Sequence, residues 1–173
     1  MSIIEAYVTN LGKYNEGELL GKWIELPIEE EDFEEVLKEI GVDGENYKEY
    51  FFNYYSYDNI EDLNFGEYEN IENLNKIAKQ IENLSDYELD VFNAIVQHFG
   101  VDYALKFDIY NYSFYPDITN DEELGHYYVD EIYFEDIKTG SVIYDYIDYE
   151  SLGFNMSRYA DGGFTDYGFI ERV

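Results

Sequence analysis

The chain has 173 residues, of which 40 are acidic and ten are basic, so its formal charge is −30, yet 46% of it is hydrophobic and 20% is aromatic. Because disordered acidic chains lack aromatic and β-branched residues, this composition predicts an ordered core beneath a negative surface. The absence of cysteine excludes disulfides and thiolate metal sites. So few basic residues argue against nucleic acid as a ligand and favour a basic protein as the partner.

The chain shows neither the basic start of a signal peptide nor an apolar run of about 18 residues. We therefore expect a cytoplasmic protein that does not contact a membrane.

The negative charge is spread along the whole chain. Residues 1–61 carry 16 acidic and four basic residues, residues 62–103 carry nine and two, and residues 104–173 carry 15 and four. An acidic tail would concentrate its charge in one block. We therefore expect the negative surface to be part of the fold. Turn signals set these bounds, and the element patterns described below predict an α+β protein of three small parts: an antiparallel sheet with an acidic helix, a helical middle domain, and a C-terminal α+β domain.

The first part of the chain predicts a small sheet. Residues 5–10 and 19–26 have strand-like patterns, and the turn-rich residues 12–17 separate them, which predicts an antiparallel hairpin. Residues 47–57 have the aromatic composition of a strand, and we expect them to complete this sheet.

An acidic amphipathic helix is predicted over residues 29–40. Seven of the eleven residues from Glu29 to Glu39 are acidic, and Gly41 supplies a stop signal. Apolar residues at i, i+3, i+4 and i+7 form one helical face, which consists of Phe33, Val36, Leu37 and Ile40. The acidic side chains therefore belong on the solvent side.

Two further helices are predicted in the middle of the chain. The first has an apolar face formed by Ile71, Leu74, Ala78 and Ile81. Residues 85–88 then read as a capping box for a second helix, whose apolar face is formed by Leu89, Phe92, Ile95, Val96 and Phe99. The short connection predicts that the two helices are antiparallel.

The last part of the chain mixes both kinds of element. A strand is expected around residues 107–113, and an acidic helix is expected to begin at residues 119–122 and to run through Tyr128 or beyond. Residues 143–152 also have a helical pattern, and residues 162–170 are typical of a turn and a closing strand.

No pattern of residues predicts a catalytic, cofactor or metal site. Glu122 and Asp130 flank His126 at i−4 and i+4, but no second histidine or cysteine completes a metal site, so we favour a capping or partner-facing role. We expect His98, at the end of an apolar helix, to be structural. Phosphate-binding loops, nucleophile elbows and dinucleotide fingerprints are absent from the sequence, and among forty acidic residues paired carboxylates arise by chance.

Two features leave alternatives open. The 21 tyrosines either fill sheet faces and the rim of the core or, in the case of Tyr127, Tyr128 and Tyr133, form a contact surface. The acidity has a third explanation in adaptation to high salt, although abundant aromatic residues make that less natural.

Three stretches resemble a known family. Residues 7–23 (YVTNLGKYNEGELLGKW), together with residues 26–27 and 33–36, resemble the ArdA antirestriction proteins. Residues 124–131 (LGHYYVDE) resemble the family's antirestriction motif, and residues 146–150 resemble its later part.

The resemblance implies an elongated homodimer whose carboxylates imitate the phosphates of bent B-form DNA. Such a protein is not an enzyme. It occupies the DNA-binding groove of type I restriction-modification enzymes, blocks restriction and modification, and is carried on conjugative elements. The dimer interface is expected within residues 104–173.

On this reading, the acidic surface that imitates DNA is formed by Glu29, Glu30, Glu31, Asp32, Glu34, Glu35, Glu39, Glu69, Glu72, Asp86, Asp90, Asp121, Glu122 and Glu123. The antirestriction-like motif consists of Leu124, Gly125, His126, Tyr127, Tyr128, Val129, Asp130 and Glu131. The alternative function is that of an acidic inhibitor or chaperone of another basic DNA-binding protein.

Overall fold

A computed structural model describes residues 4–61, 63–106, 108–133 and 141–173. The chain forms two compact units, Met1–Ser85 and Asp86–Val173. The first contains 21 acidic against six basic residues and the second 19 against four, so each unit has a net charge of −15. Acidity is thus a property of both units.

The first unit contains the predicted sheet. Strands β1 (Ile4–Asn10), β2 (Gly21–Leu26) and β3 (Tyr50–Tyr57) are antiparallel, with β1 in the centre, so the predicted hairpin and its third strand are confirmed. The predicted turn between the first two strands contains a short helix, α1 (Leu11–Asn15). The side chain of Asn10 caps this helix by accepting a hydrogen bond from the backbone N–H of Lys13.

One face of this sheet is buried. Alternating residues of β1 and β2 contribute Ile4, Ala6, Val8, Ile24 and Leu26 to the core. Helix α2 (Glu30–Glu39) covers that face, and the ring of Phe33 packs edge-on against Tyr50, with ring centroids 5.3 Å apart. The predicted acidic helix is therefore confirmed, and it ends where Gly41 adopts a φ of +77°.

Helix α3 (Ile71–Ile81) completes the first unit. Leu74, Ala78 and Ile81 of the predicted face are buried, and Ile77 joins them. The side chain of Asn70 caps the helix by accepting a hydrogen bond from the N–H of Glu72.

The second unit combines helices with a second antiparallel sheet. Its elements are α4 (Asp86–Phe99), α5 (Val101–Ala104), β4 (Tyr112–Tyr115), α6 (Asp121–Tyr127), α7 (Tyr149–Tyr159), β5 (Gly162–Thr165) and β6 (Gly168–Arg172). The strand order is β4-β6-β5. Helix α6 continues into a π-helical turn at Tyr128–Ile132, as the prediction of a helix beyond Tyr128 required.

Three boundaries in this unit differ from the predictions. Strand β4 begins at Tyr112 instead of near residue 107, which lies outside the described residues. The helix predicted at residues 143–152 begins at Tyr149, because the side chain of Asp148 caps it by accepting a hydrogen bond from the N–H of Ser151 at 2.9 Å. Residues 162–170, which were predicted as a turn and a closing strand, contain strand β5, a turn at residues 166–167 and the first part of β6.

The mixed α+β class is confirmed, whereas the division into three parts with bounds at residues 61 and 103 stays a prediction. None of the helices in the described ranges has the length and apolar composition needed to cross a bilayer.

Candidate acidic surface and the glycine-packed motif

Helix α2 separates its apolar and acidic residues cleanly. Phe33 and Val36 are buried, and so is Ile40 at the C-cap. Every acidic residue predicted for this stretch is exposed, namely Glu29, Glu30, Glu31, Asp32, Glu34, Glu35 and Glu39. The helical period thus places the carboxylates in solvent without removing any apolar group from the core.

Lysines neutralise part of this set. The ion pairs join Lys38 to Glu34 at 3.7 Å, Lys22 to Glu39, and Lys79 to Glu29 at 3.9 Å. Exposed pairs of this kind contribute little to stability, but they lower the local negative charge. Within the described residues, four carboxylates of this helix have no ion pair, namely those of Glu30, Glu31, Asp32 and Glu35.

The charge density of α2 is comparable to that of DNA. Residues 29–39 carry seven acidic residues and one lysine, a net charge of −6, over about 16 Å of helix axis. That is one net charge per ~2.7 Å, against one per ~1.7 Å for double-stranded DNA. Taken by itself, this segment therefore has more than half the axial charge density of a duplex, and the pairs with Lys22 and Lys79 lower that density. Glu30, Glu31 and Asp32 occupy its first turn, where the helix dipole offsets part of their mutual repulsion.

Two buried or half-buried asparagines hold α2 at both ends. Before its N-terminus, the side chain of Asn75 accepts a hydrogen bond from the N–H of Ile28 at 2.8 Å and donates one to the Ile28 carbonyl at 2.7 Å. At its C-terminus, the buried amide of Asn10 donates a hydrogen bond to the carbonyl of Ile40 at 3.0 Å. These contacts fix the orientation of the acidic face on the sheet.

The other predicted acidic residues of the first unit lie at the start of α3. Glu69 is half-buried, and its carboxylate accepts hydrogen bonds from the N–H of Asn70 at 3.1 Å and from the side chain of Asn73 at 3.3 Å. Glu72 is exposed in the first turn. In the second unit, Asp86 and Asp90 are exposed one turn apart on α4.

The three acidic residues at the start of α6 have different environments. Glu123 completes a capping box, in which its N–H donates a hydrogen bond to the side chain of Asn120. The Glu123 carboxylate accepts hydrogen bonds from the N–H and the hydroxyl of Thr119 at 2.7 and 2.9 Å. These two bonds lower the pKa of Glu123. Asp121 accepts a hydrogen bond from the hydroxyl of Ser157 at 3.2 Å. Glu122 alone of the three is exposed without a hydrogen bond or ion pair within the described residues.

The first half of the motif packs α6 against α7. Leu124, Gly125 and Val129 are buried. A Cβ added at Gly125 would overlap the carbonyl oxygen of Tyr149 and lie 2.7 Å from its carbonyl carbon. Gly153 makes the reciprocal contact, since a Cβ there would lie 2.8 Å from the N of Gly125. The two helix backbones touch at this pair of glycines.

The aromatic residues of the motif also face inward. The ring of His126 stacks on Tyr149, with centroids 3.7 Å apart. The Tyr127 hydroxyl donates a hydrogen bond to the Tyr115 hydroxyl at 3.2 Å, and burial raises the pKa of Tyr115 to about 12. Both tyrosines and Tyr128 pack against the core of the unit. These contacts favour the interpretation that Tyr127 and Tyr128 line the core, whereas Tyr133, the third tyrosine considered for a contact surface, is 36% exposed.

The end of the motif is exposed. Asp130 and Glu131 lie in the π-helical turn, and the Tyr144 hydroxyl donates a hydrogen bond to the Asp130 carboxylate, which raises the pKa of Tyr144. Tyr149 in turn donates to the Tyr144 carbonyl at 3.1 Å. This chain of hydrogen bonds links the end of the motif to the start of α7.

Among the described residues, neither histidine belongs to a group of side chains that could hold a metal ion. His98 is exposed and lies over Gly163, where a Cβ would come within 2.8 Å of its Nδ1. In the described part of the chain, no group of three or more histidines and carboxylates is arranged to hold a metal ion.

The sequence reasoning overlooked Gly153 and Tyr144. A signal for Gly153 was present, because glycine inside a helix costs about 0.5–1 kcal/mol relative to alanine and is retained where a backbone approaches closely. Tyr144 had no such signal, since its contact with Asp130 depends on the tertiary fold.

A comparison with curated proteins found no significant match. The family model described as "Antirestriction protein (ArdA)" matches residues 6–171, which include the acidic helix, the motif and all but the outermost residues of both sheets. The chain therefore belongs to the ArdA family of antirestriction proteins.

Proposed function

We propose that this chain is a DNA mimic that occupies the DNA-binding groove of type I restriction-modification enzymes and blocks both cleavage and methylation. The observation that carries the proposal is the group of exposed carboxylates on α2 that have no ion pair within the described residues, at Glu30, Glu31, Asp32 and Glu35. The proposed action is that of a non-catalytic inhibitor in the cytoplasm, and we include in the proposal that its gene is carried on conjugative elements, as the resemblance to the family implies.

The physical argument rests on many weak contacts. Basic side chains that bind DNA phosphates also pair with carboxylates, and a net charge of −15 on each unit steers association. Each exposed ion pair contributes only about 0–1 kcal/mol. Single substitutions on this surface therefore have small effects, and several must be combined to weaken inhibition.

The test removes four charges from α2 and compares them with four charges removed elsewhere. The test variant neutralises the unpaired carboxylates through Glu30→Gln, Glu31→Gln, Asp32→Asn and Glu35→Gln. The control variant neutralises exposed carboxylates outside the predicted surface through Glu45→Gln, Glu49→Gln, Asp58→Asn and Glu67→Gln. Both have the same net charge, so a difference between them reports position rather than total charge.

Inhibition of ATP-dependent DNA cleavage and of methylation is measured for each protein at several ratios to a purified type I enzyme. We expect the α2 variant to need at least about tenfold more protein than the control variant, in line with the loss of several weak contacts. Equal loss in both variants would refute a specific role for α2. Failure of the unaltered protein to inhibit at stoichiometric excess would refute the type I target and leave the alternative, inhibition of another basic DNA-binding protein.

We further propose that two copies associate through the second unit. Large apolar side chains are exposed next to the end of the motif and in the segment before α7, with exposed fractions of 51% for Ile132, 74% for Val142, 69% for Ile143 and 83% for Tyr146. Exposed apolar groups of this kind mark protein interfaces. Sedimentation of Ile143→Asp should show a monomer, whereas Leu19→Asp, an exposed apolar position in the first unit, should leave the dimer intact. A monomeric unaltered protein at micromolar concentration would contradict this proposal.

A further inference from the structure

The face of the first sheet that points away from α2 carries two rows of side chains. The strand register pairs Tyr7 with Trp23 on one side and with Tyr54 on the other, which forms an aromatic row. The next row along the strands pairs Glu5 with Glu25 and with Ser56. Because alternate residues of a strand share a face, the aromatic row and the acidic row are adjacent.

The aromatic row is in contact with solvent. Trp23 is 48% exposed and Tyr54 is 58% exposed. The rings of Tyr7 and Trp23 meet edge to face with centroids 5.4 Å apart, and those of Tyr7 and Tyr54 are 6.4 Å apart. Further along the strands, Tyr14 covers Phe51 on the same side of the sheet. The three rings of the aromatic row therefore form an exposed surface, next to a part of the same sheet face that Tyr14 covers.

The acidic row is costly in the isolated protein. Glu5 and Glu25 lie directly opposite each other on antiparallel strands, and like charges in that position are destabilising. Within the described residues, neither carboxylate forms an ion pair with a lysine or arginine. A cation bound between them removes this repulsion.

We propose that this sheet face binds an arginine side chain of a basic protein segment. The guanidinium group is planar, stacks on aromatic rings and pairs with carboxylates through its fork of N–H donors. The aromatic row supplies the rings, and Glu5 with Glu25 supplies the carboxylates. This site uses none of the carboxylates of α2, and it does not depend on which DNA-handling enzyme the protein inhibits.

Two other occupants fit the charges poorly. A nucleic acid would stack its bases on the rings, but its phosphates would meet the carboxylates of a unit with a net charge of −15. A second copy placed face to face would bring four carboxylates together, because a two-fold contact repeats Glu5 and Glu25 on both sides.

Trp23 is the single tryptophan of the chain, so its fluorescence reports on this face alone. The probe is a capped glycine–serine peptide with two arginines, titrated at low ionic strength, and the same peptide with citrulline at both positions tests for the charge. The test variants are Glu5→Gln with Glu25→Gln, and Tyr54→Ser. The matched control is Glu45→Gln with Glu49→Gln, which removes the same charge from exposed positions outside this face.

We expect the arginine peptide to change Trp23 emission in a saturable way and the citrulline peptide to leave it unchanged. Both test variants should weaken binding by about tenfold and the control by less than about twofold, since stacking and charge-assisted hydrogen bonds are both local. Thermal unfolding separates a binding role from a structural one, because relief of the repulsion should raise the midpoint of the Glu5→Gln, Glu25→Gln variant. Equal weakening in test and control variants, the absence of saturation, equal binding of citrulline, or a lowered midpoint would each overturn the proposal.

Discussion

The contact between α6 and α7 gives the sharpest prediction, which concerns Gly125→Ala. The added Cβ would overlap the Tyr149 carbonyl oxygen and lie 2.7 Å from its carbon and 3.0 Å from its Cα. Optimal carbon contacts are at about 3.5–4.0 Å, so the helices must separate by about 1 Å. Because the obstacle is backbone, no side-chain rotation relieves the overlap.

The expected loss of stability follows from two opposing terms. Overpacking costs about 1–3 kcal/mol and occasionally more, and the rigid obstacle places this case at the upper end. Alanine regains about 1 kcal/mol of helix propensity. The net loss is therefore about 2 kcal/mol in the free energy of unfolding, which lowers the midpoint of thermal unfolding by about 4–8 °C for a cooperative chain of this length.

The assay is urea denaturation followed by circular dichroism, with Gly66→Ala as the control, because a Cβ at Gly66 has no heavy atom within 4 Å. The control should stay within about 0.5 kcal/mol of the unaltered protein. Gly153→Ala should lose a similar amount, and the double variant should lose less than the sum, since both changes open one contact. A loss below about 0.5 kcal/mol for Gly125→Ala would refute the claim that the motif packs α6 onto α7.

Three further predictions concern other parts of the chain. Asn75→Ala removes both hydrogen bonds to Ile28 and should lower the free energy of unfolding by about 1–3 kcal/mol in urea denaturation. An unchanged urea midpoint would contradict the view that these two bonds hold the start of α2 in place. The pKa of Glu123 is lowered by its bonds to Thr119, so its contribution to stability is present above its unfolded pKa of about 4.3 and is lost as pH falls through the lower folded value. The stability difference between the unaltered protein and Glu123→Gln should therefore shrink on acidification, and a constant difference from pH 7 to pH 3 would exclude this linkage. Raising salt from about 0.1 to 1 M shortens the screening length from ~10 to ~3 Å. The attraction between this protein and the enzyme should then weaken, and so should its inhibition, while weaker repulsion among its own carboxylates should stabilise the folded state. Inhibition that is independent of salt would contradict the electrostatic argument.

Local patterns predicted the elements well where one period dominated. The helix over residues 29–40 and the strands around residues 5–10 and 19–26 were found because their apolar spacing is strong and their stop signals are clear. The start of α7 was missed, because the apolar residues before it suggested a helix that the cap at Asp148 places further along the chain. The N-cap at Asp148, and not the pattern of apolar residues, therefore sets the start of α7.

The candidate surface was predicted as a set of residues and not as an arrangement. The sequence placed Glu122 and Glu123 together, whereas the fold uses Glu123 in a capping box and leaves Glu122 in solvent. It also could not show that Gly125 meets the backbone of Tyr149. Those outcomes depend on atoms brought together by packing.

The sequence by itself determined the charge of −30, the amphipathic pattern of α2 and the exposure of its carboxylates, because these follow from composition and from a period of 3.6 residues. The tertiary structure decided which carboxylates remain unpaired, since Lys22 and Lys79 reach Glu39 and Glu29 from other elements of the fold. It also decided that Glu5 and Glu25 face each other beside an aromatic row, because that depends on strand register. Contacts between residues distant in the chain are fixed by packing, and no local pattern encodes them.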